Sequence, residues 1–452
     1  MKKASLFVEF IAALWPKLNL YIKEKVNGQT NGQKKLTYLH KEMLNEVYSA
    51  DQKWEGTTAN TVYVAADVVA LDSPLPTKSR PSIGTSNGKL PKIGMKKALS
   101  ESDLTALDMM KAQLLLLEQA ATPNEQAIAR QKRLIINKLS NDSLTCSVGI
   151  DEKLEAAFLE GISNGVALVE DEDNSGTALR ANYGYFKDHI FHLATKGVVD
   201  HDDIERVITK ADADGNTIQY IMLALSKYNE LRKTQWAKEL VANYKGQTFD
   251  SDTKLPVPTA KLFDEAFSDE FNGITFIKVD RTVLFEKNGK RTPKKPFNAD
   301  HLVFLCNYNV GSLVYSTCAE ANHRVTGVEY ATVDIFKLIS KYSINDPLQE
   351  WTASQALALP VIEDVDQIYV LECEDEKSEE VNETAEKADT ADAYVTIAGK
   401  KYKKSDVVAE LKKLGVNTTV KATDATLVQK YNSLNEEQQE EFTKALTPVT
   451  DA

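Results

Sequence analysis

Two strand-like segments near the start of the chain have no adjacent segment that could complete a sheet with them. Residues 61–71 are rich in valine and other strand formers, and residues 90–99 form a second strand-like stretch. The loop between them is rich in proline and glycine and carries Lys78 and Arg80. A two-stranded hairpin has no core of its own and is marginal in water. The pattern therefore predicts an extended hairpin that packs against something else, and a flexible surface loop is the alternative.

The residues before this hairpin predict an N-terminal arm. Apolar residues recur at helical spacing, and Pro16 is expected to end the helix that they form; these residues are Leu6, Phe7, Phe10, Ile11 and Leu14. The chain begins with basic residues that are followed by an apolar stretch, an order that also resembles a secretory signal. Glu9 interrupts that stretch and no small-residue cleavage site follows it, so a docking arm is the favoured interpretation.

The middle of the chain predicts a mixed α+β body. Ser100 and Asp103 are capping residues that open a helical block, and further apolar periodicity predicts helices over residues 122–139 and 151–165. Residues 220–225, 274–279, 301–305 and 366–371 read as strands. Helices and strands that occur in runs, without regular alternation, are typical of α+β folds.

An acidic segment separates this body from the C-terminus. Residues 372–391 contain nine acidic residues and two lysines, a composition that predicts a solvated linker. Beyond it, residues 394–402 predict a small hairpin, and a capped helix follows Ser405. The last 59 residues therefore predict a separate small domain.

Composition excludes several classes of protein. The formal charge of −12 argues against a protein whose main task is to coat nucleic acid. A mean hydropathy of −0.34 and the lack of a long apolar run argue against an integral membrane protein. The four cysteines form no CxxC pair, so the sequence predicts reduced thiols and neither a disulfide scaffold nor a zinc module.

Candidate catalytic and metal-binding residues are scattered. Residues 212–216 resemble a calcium loop, but the required glycine and bidentate acid are out of position, so a helix stop is predicted. His189 and His192 lack the glutamate of a zinc protease motif. Cys306 and His323 lie near each other in the sequence, but no other feature of the sequence orients them as a nucleophile and its base. A basic patch over residues 287–295 could contact phosphate, although a charged hairpin turn is the simpler interpretation. No metal, no cofactor and no catalytic site is predicted.

Several segments, taken in order, resemble one family. They are residues 64–76 (VAADVVALDSPLP), 90–95 (LPKIGM), 158–165 (FLEGISNG), Gly176, 181–185 (ANYGY), 203–208 (DIERVI), 220–222 (YIM), 231–233 (LRK), 341–347 (KYSINDP), 354–361 (SQALALPV) and 366–371 (DQIYVL). Together they resemble tailed-bacteriophage major capsid proteins of the lambda capsid-protein-E type, which share the Hong Kong ninety-seven phage capsid fold. The resemblance covers residues 57–371, and the acidic linker and the last domain lie outside it.

The resemblance implies an α+β capsid fold with seven segments. These are an N-terminal arm (1–56), an extended hairpin loop (57–99), a peripheral domain with a spine helix (100–195), an axial domain (196–345), a return to the peripheral domain (346–371), the acidic linker (372–393) and a small C-terminal α/β appendage (394–452).

It further implies a structural, non-enzymatic protein of the virion. Copies would assemble in the host cytoplasm into the hexamers and pentamers of an icosahedral head. Portal, scaffolding and decoration proteins are the expected partners. Contact with the packaged DNA would be non-specific only, and no membrane partner is expected. The arm and loop are expected to contact neighbouring subunits through Phe7, Phe10, Val64, Val68, Leu71, Leu75, Pro76, Lys78, Arg80 and Ile93. Two alternatives stay open: an enzyme of unfamiliar geometry, and a binding or adhesion protein that uses its C-terminal domain.

Overall fold

The computed structural model divides the chain into two compact units, Met1–Asp375 and Glu376–Ala452. It describes residues 5–7, 9–10, 15–26, 37–58, 84–122, 124–169, 179–195, 197–247, 255–287, 289–373, 394–397 and 400–403, and seven single positions beyond these. The acidic segment from residue 374 to residue 393 lies outside the described residues, so its prediction as a linker stays a prediction.

Helices in the described part of the first unit range from one turn to eleven turns. They are α1 (Leu18–Val26), α2 (Leu39–Met43), α3 (Glu101–Glu118), α4 (Glu125–Asn164), α5 (His201–Ala213), α6 (Leu225–Leu231), α7 (Gln235–Tyr244), α8 (Ala260–Glu270) and α9 (Ala319–Asn322). No helix among these described segments is both long enough and apolar enough to cross a membrane.

The strands of the first unit are mostly short. They are β1 (Leu44–Tyr48), β2 (Lys53–Thr58), β3 (Gly84–Lys89), β4 (Lys92–Leu99), β5 (Val166–Val169), β6 (Leu179–Asn182), β7 (Ile190–His192), β8 (Tyr220–Ala224), β9 (Thr275–Val279), β10 (Val283–Lys287), β11 (Lys290–Lys294), β12 (His301–Leu305), β13 (Gly311–Ser316), β14 (Glu329–Val333), β15 (Lys337–Asn345), β16 (Leu348–Ile362) and β17 (Ile368–Glu372).

Two sheets form the body of the first unit. The larger sheet has the order β1-β13-β16-β15-β14, and β4 pairs with residues 350–357 of the long strand β16, on the same side as β13 and opposite β15. The smaller sheet has the order β7-β17-β12-β8-β9 and mixes parallel with antiparallel pairs. Three two-stranded pairs, β2-β3, β5-β6 and β10-β11, lie outside both sheets.

Helix α4 is a single helix of 40 residues, about 60 Å long at 1.5 Å per residue. The side chain of Asn124 caps its first turn, and Gly165 ends it in the left-handed conformation that glycine accepts most easily. The sequence predicted two separate helices here. The polar stretch between them stays helical because it packs on the larger sheet, where Ser140, Ser143 and Ser147 are buried.

The C-terminal half of α4 carries the main core. Ile150, Leu154, Phe158 and Ile162 are buried in one cluster that takes side chains from both sheets. The opposite face of the smaller sheet is covered by α5 to α8, which form a second buried cluster. A capping box between Asp200 and Asp203 begins α5. The predicted α+β class is therefore confirmed.

One further local prediction was wrong. Residues 90–99 do not form the second strand of a free hairpin, because β4 pairs along its length with residues 350–357 of β16. The strand that pairs with β2 is β3. Pro16 lies in the short 3₁₀ turn Trp15–Lys17 that leads into α1; residues 11–14 lie outside the described residues, so the predicted end of a helix at Pro16 stays a prediction. A proline at the start of a helix removes no helical hydrogen bond.

The second unit contains the predicted hairpin. Strands β18 (Tyr394–Ile397) and β19 (Lys400–Lys403) pair antiparallel. The ring of Phe442 contacts those of Tyr402 and Tyr431, and all three side chains are buried.

A buried ionic network fixes the segment that leads into β1. Glu155 of α4 accepts hydrogen bonds from the backbone N–H groups of Leu39 and His40, each at 3.0 Å, and its Oε2 lies 2.6 Å from His40 Nδ1. One turn away, Asp151 lies 2.6 Å from the ammonium of Lys337 and 3.0 Å from that of Lys41. Because these charges are buried and paired, removing one partner would leave another uncompensated.

Asp334 closes this network at the turn between β14 and β15. Its carboxylate lies 2.9 Å from Lys337 Nζ and 3.3 Å from Lys41 Nζ. Burial by itself would raise the pKa of Asp334, but the two ammonium groups outweigh burial and hold the pKa at about 2.

We expect two glycines of α4 to differ in their tolerance of alanine. A Cβ on Gly161 would lie 2.6 Å from the ring of Tyr183, which is held by its hydroxyl donating to the Pro360 carbonyl. A Cβ on Gly149 would meet only the flexible end of Met95. Gly161→Ala should therefore lower the free energy of unfolding by about 1–3 kcal/mol, whereas Gly149→Ala should change it by less than about 1 kcal/mol. Urea unfolding measures both, and equal effects would contradict the packing.

Asp334→Asn should weaken the fold most at neutral pH. The pKa of Asp334 lies below its unfolded value, so its contribution is complete above about pH 4 and is lost as the pH falls towards 2. The variant should lose about 2 kcal/mol of unfolding free energy at pH 7, and this difference should vanish near pH 2. The exposed Asp108→Asn is the matched control. A loss that is the same at both pH values would show that the charge is not responsible.

Candidate assembly surfaces

The start of the N-terminal arm docks on its own chain. Glu350 of β16 is buried and accepts hydrogen bonds from the Ser5 hydroxyl and, at 3.1 Å, from the Leu6 backbone N–H. Phe7 is only 3% exposed in a cluster with residues of β4, α3 and α4, and Phe10 packs against the same cluster. Whether these two phenylalanines also contact a neighbouring copy stays a prediction.

The ribbon formed by β2 and β3 is anchored at its base. Trp54 and Leu90 are buried in the main core, and the Trp54 ring lies 6.2 Å from that of Tyr183. The opposite end, where Thr58 pairs with Gly84, opens into residues 59–83. That segment lies outside the described residues, and with it seven of the predicted contact residues: Val64, Val68, Leu71, Leu75, Pro76, Lys78 and Arg80.

Strand β4 forms one edge of the larger sheet. Its side chains alternate, so that Ile93 is half-buried against the main core whereas Lys92 and Lys96 are exposed. Within the described part of the chain, β4 pairs with β16 and with no other strand. Lysines on such an edge oppose unspecific strand pairing. A contact of Ile93 with another copy stays a prediction.

The hairpin of helices α3 and α4 exposes several apolar side chains. Met109, Leu115 and Leu116 of α3 and Leu134 of α4 are exposed, and Leu116 is 71% exposed. A run of four leucines at residues 114–117 makes this end of α3 apolar around its whole circumference, although only Leu114 is buried. Helices of this kind are normally covered on all sides.

The four cysteines are poor nucleophiles. All are buried, and burial raises the pKa of Cys146, Cys306 and Cys373 to about 12 and also raises that of Cys318. At neutral pH these thiols carry almost no thiolate, which is the reactive form. Among the described residues, no hydrogen bond joins any of them to His323.

The histidines that the sequence singled out do not converge. His189 is buried and stacks on Tyr369 with ring centroids 4.2 Å apart, and its Nε2 lies 3.4 Å from Asp214. His192 is exposed and lies 3.4 Å from Glu372. His201 begins α5 and could share a cation with Asp202 and Glu205, but that trio is at the surface, where such groups are common without an ion.

Residues 212–216 end α5, as predicted. Asp214 caps the helix and Gly215 follows in the left-handed conformation. Asp214 is already engaged, because it accepts from Lys210 and from the Tyr369 hydroxyl.

One surface feature was not predicted from the sequence. Helices α5, α7 and α8 enclose an open groove of about 420 Å³, lined by apolar and acidic residues that include His201, Trp236, Glu239, Tyr244, Asp269 and Glu270. These residues come from three helices that are distant in sequence. The periodicity of apolar residues within a helix identifies the face that is buried. It does not indicate which helices lie side by side at the surface.

Several solved structures that are similar to this chain are described as capsid proteins. A protein of an Escherichia coli CFT073 prophage, described as a capsid protein, is 12% identical, covers 78% of this chain and 98% of its own, and gives a TM-score of 0.46. The capsid of cyanophage A-1(L) is 11% identical, with coverage of 76% and 94% and a TM-score of 0.40. The mature capsid of bacteriophage PhiM1 is 10% identical, with coverage of 76% and 89% and a TM-score of 0.36.

Comparisons of the amino-acid sequence, in contrast, found no match. No protein-family model matches the chain, and no curated protein matches it.

Proposed function

We propose that this chain is the major capsid protein of a tailed bacteriophage, a structural subunit that assembles with copies of itself into the hexamers and pentamers of an icosahedral head around double-stranded DNA. This proposal rests on the ribbon of β2 and β3. Within the described residues it has two strands and no third, and its buried anchors lie at its base. Such a ribbon needs a further surface to become stable.

The segment beyond the ribbon supports the same proposal. Residues 59–83 can reach at most about 40 Å out and back from Thr58 and Gly84, a distance comparable with the size of a neighbouring domain. Its apolar residues would then be buried by another copy. Obligate interfaces of about 2,000 Å² or more supply enough apolar burial to offset the loss of chain entropy.

The proposed partners follow from this role. Portal, scaffolding and decoration proteins would bind the assembled head. Contacts with the packaged DNA would be non-specific, and the acidic net charge of the chain would keep them weak. Assembly would take place in the host cytoplasm, and the finished protein would belong to the virion. The role requires no catalysis, which is consistent with the buried, protonated thiols.

A second function is proposed for the C-terminal unit alone. It forms its own compact unit with its own buried aromatic residues, Tyr402, Tyr431 and Phe442. A module of this kind can bind a ligand without taking part in shell contacts.

Truncation after Asp375 separates the two functions. Negative-stain electron microscopy of the full-length protein, expressed alone and together with the scaffolding protein of its phage, should show rings or shells. The truncated chain should form the same particles, because the first unit contains both sheets and the ribbon. A full-length protein that stays monomeric under both conditions would overturn the capsid proposal. Loss of particles on truncation alone would assign assembly to the C-terminal unit.

Leu75→Asp should impair assembly more than folding. An aspartate at a position proposed to be buried between copies places an unpaired charge in that interface. Particle yield should fall at least about tenfold, whereas the melting temperature of the unassembled protein should not change. Leu75→Ile, which keeps the apolar volume, is the matched control. Equal losses of melting temperature and of assembly would contradict an interface role.

A further inference from the structure

The groove enclosed by α5, α7 and α8 combines an apolar floor with an acidic rim. Trp236, Leu240 and Tyr244 line it, and Tyr244 is 47% exposed. Glu239, Asp269 and Glu270 stand around these side chains. Exposed aromatic side chains inside a polar rim are the usual anatomy of a protein–protein contact.

The acidic character of this surface continues beyond the groove. A neighbouring hollow of about 480 Å³ shares Tyr244 and Asp269 with it and adds Asp264 and Glu265. Some of these charges are already compensated, because Asp264 lies 2.6 Å from Lys278 and Glu265 lies 3.7 Å from Lys261. Glu270 lies 3.6 Å from His201. No described residue forms an ion pair with Asp269 or Glu239, so this part of the rim keeps its negative charge.

The hairpin of β10 and β11 has the complementary character. Its inner face is anchored, since Val283 is buried and Lys153 of α4 lies 4.8 Å from the centroid of the Phe285 ring. Its outer face presents Leu284, which is 63% exposed and stands opposite Pro293.

Two basic residues flank that apolar spot. By strand alternation, Arg291 and Lys295 lie on the same face as Leu284 and Pro293, whereas Lys290 lies on the other face; all three are exposed. Arg291 pairs with Glu286 at 2.8 Å, and Lys295 lies 3.6 Å from Asp280. Ion pairs this exposed are weak and can exchange partners at little cost.

We propose that the acidic groove of one copy receives the β10–β11 hairpin of the next copy. Leu284 and Pro293 would cover the aromatic floor, and the basic residues would face Glu239 and Asp269. Nucleic acid is the less favoured partner of the hairpin, because only the groove offers an apolar floor for Leu284. This inference rests on the proposed shell function and names a contact within it.

The two surfaces lie on different elements of one chain, so the contact runs head to tail. A contact of this type closes into a ring when the rotation between copies is suitable, and otherwise continues as an open chain. Every copy both gives a hairpin and receives one, which is what the rings of a shell require.

Charge reversal tests the contact from each side. The hairpin variant Arg291→Glu/Lys295→Glu and the groove variant Glu239→Lys/Asp269→Lys should each keep the melting temperature of the unassembled protein, because three of these side chains are exposed and Glu239 is only half-buried. Each should reduce particle yield at least about tenfold at low salt, since like charges would meet across the contact. Lys187→Glu/Arg130→Glu, a reversal of two exposed charges elsewhere, should assemble normally.

Rescue distinguishes a direct contact from general electrostatics. The chain that carries all four substitutions restores opposite charges at every contact and should assemble as the wild type does. A mixture of the two double variants should restore only rings with an even number of copies, because each variant is matched only by the other. Electron microscopy counts the copies in each ring.

Three results would overturn the contact while leaving the shell function intact: double variants that assemble normally, a fourfold variant that is not rescued, or a hairpin variant that assembles normally but loses nuclease-protected DNA. The last result would identify the hairpin as a nucleic-acid contact. A wild-type chain that never assembles would instead remove the shell function, and this contact with it.

Discussion

The packing of α4 between two sheets is the interaction on which the rest of the first unit depends. Phe158 and Ile162 lie in a cluster that also contains residues of β12, β16 and β17, so one helix face joins the larger sheet to the smaller one. Burying several large apolar side chains at once contributes about 1.5–3 kcal/mol for each. The contact is close enough that Gly161 leaves no room for a Cβ beside Tyr183.

The other half of α4 is held in a different way. Ser140, Ser143 and Ser147 face the larger sheet in place of leucine or isoleucine, and Lys341 donates to the carbonyl of Leu139 from a fully buried position. Burial lowers the pKa of Lys341, against the opposing effect of Glu350. The same Glu350 binds the start of the N-terminal arm. Polar contacts therefore connect the arm, the sheet and the helix where apolar packing is thin.

The molecule leaves several edges and faces without a partner in the part of the chain that the structure describes. The ribbon of β2 and β3, the edge strand β4, the leucine-rich end of α3 and the hairpin of β10 and β11 are all of this kind. A monomer rarely exposes so many such features together. Assembly into a shell would give each of them a neighbour without requiring any catalytic group.

The sequence by itself determined the local elements. Ser100 and Gly165 begin or end helices where their chemistry predicts, and the strands at residues 220–224 and 301–305 follow from short apolar runs that contain β-branched and aromatic residues. The tertiary structure alone decided that β4 pairs with β16 across some 250 residues, that α4 is continuous, and that three helices enclose an acidic groove. Capping and periodicity act over a few residues, whereas pairing between distant segments depends on the core that they bury together.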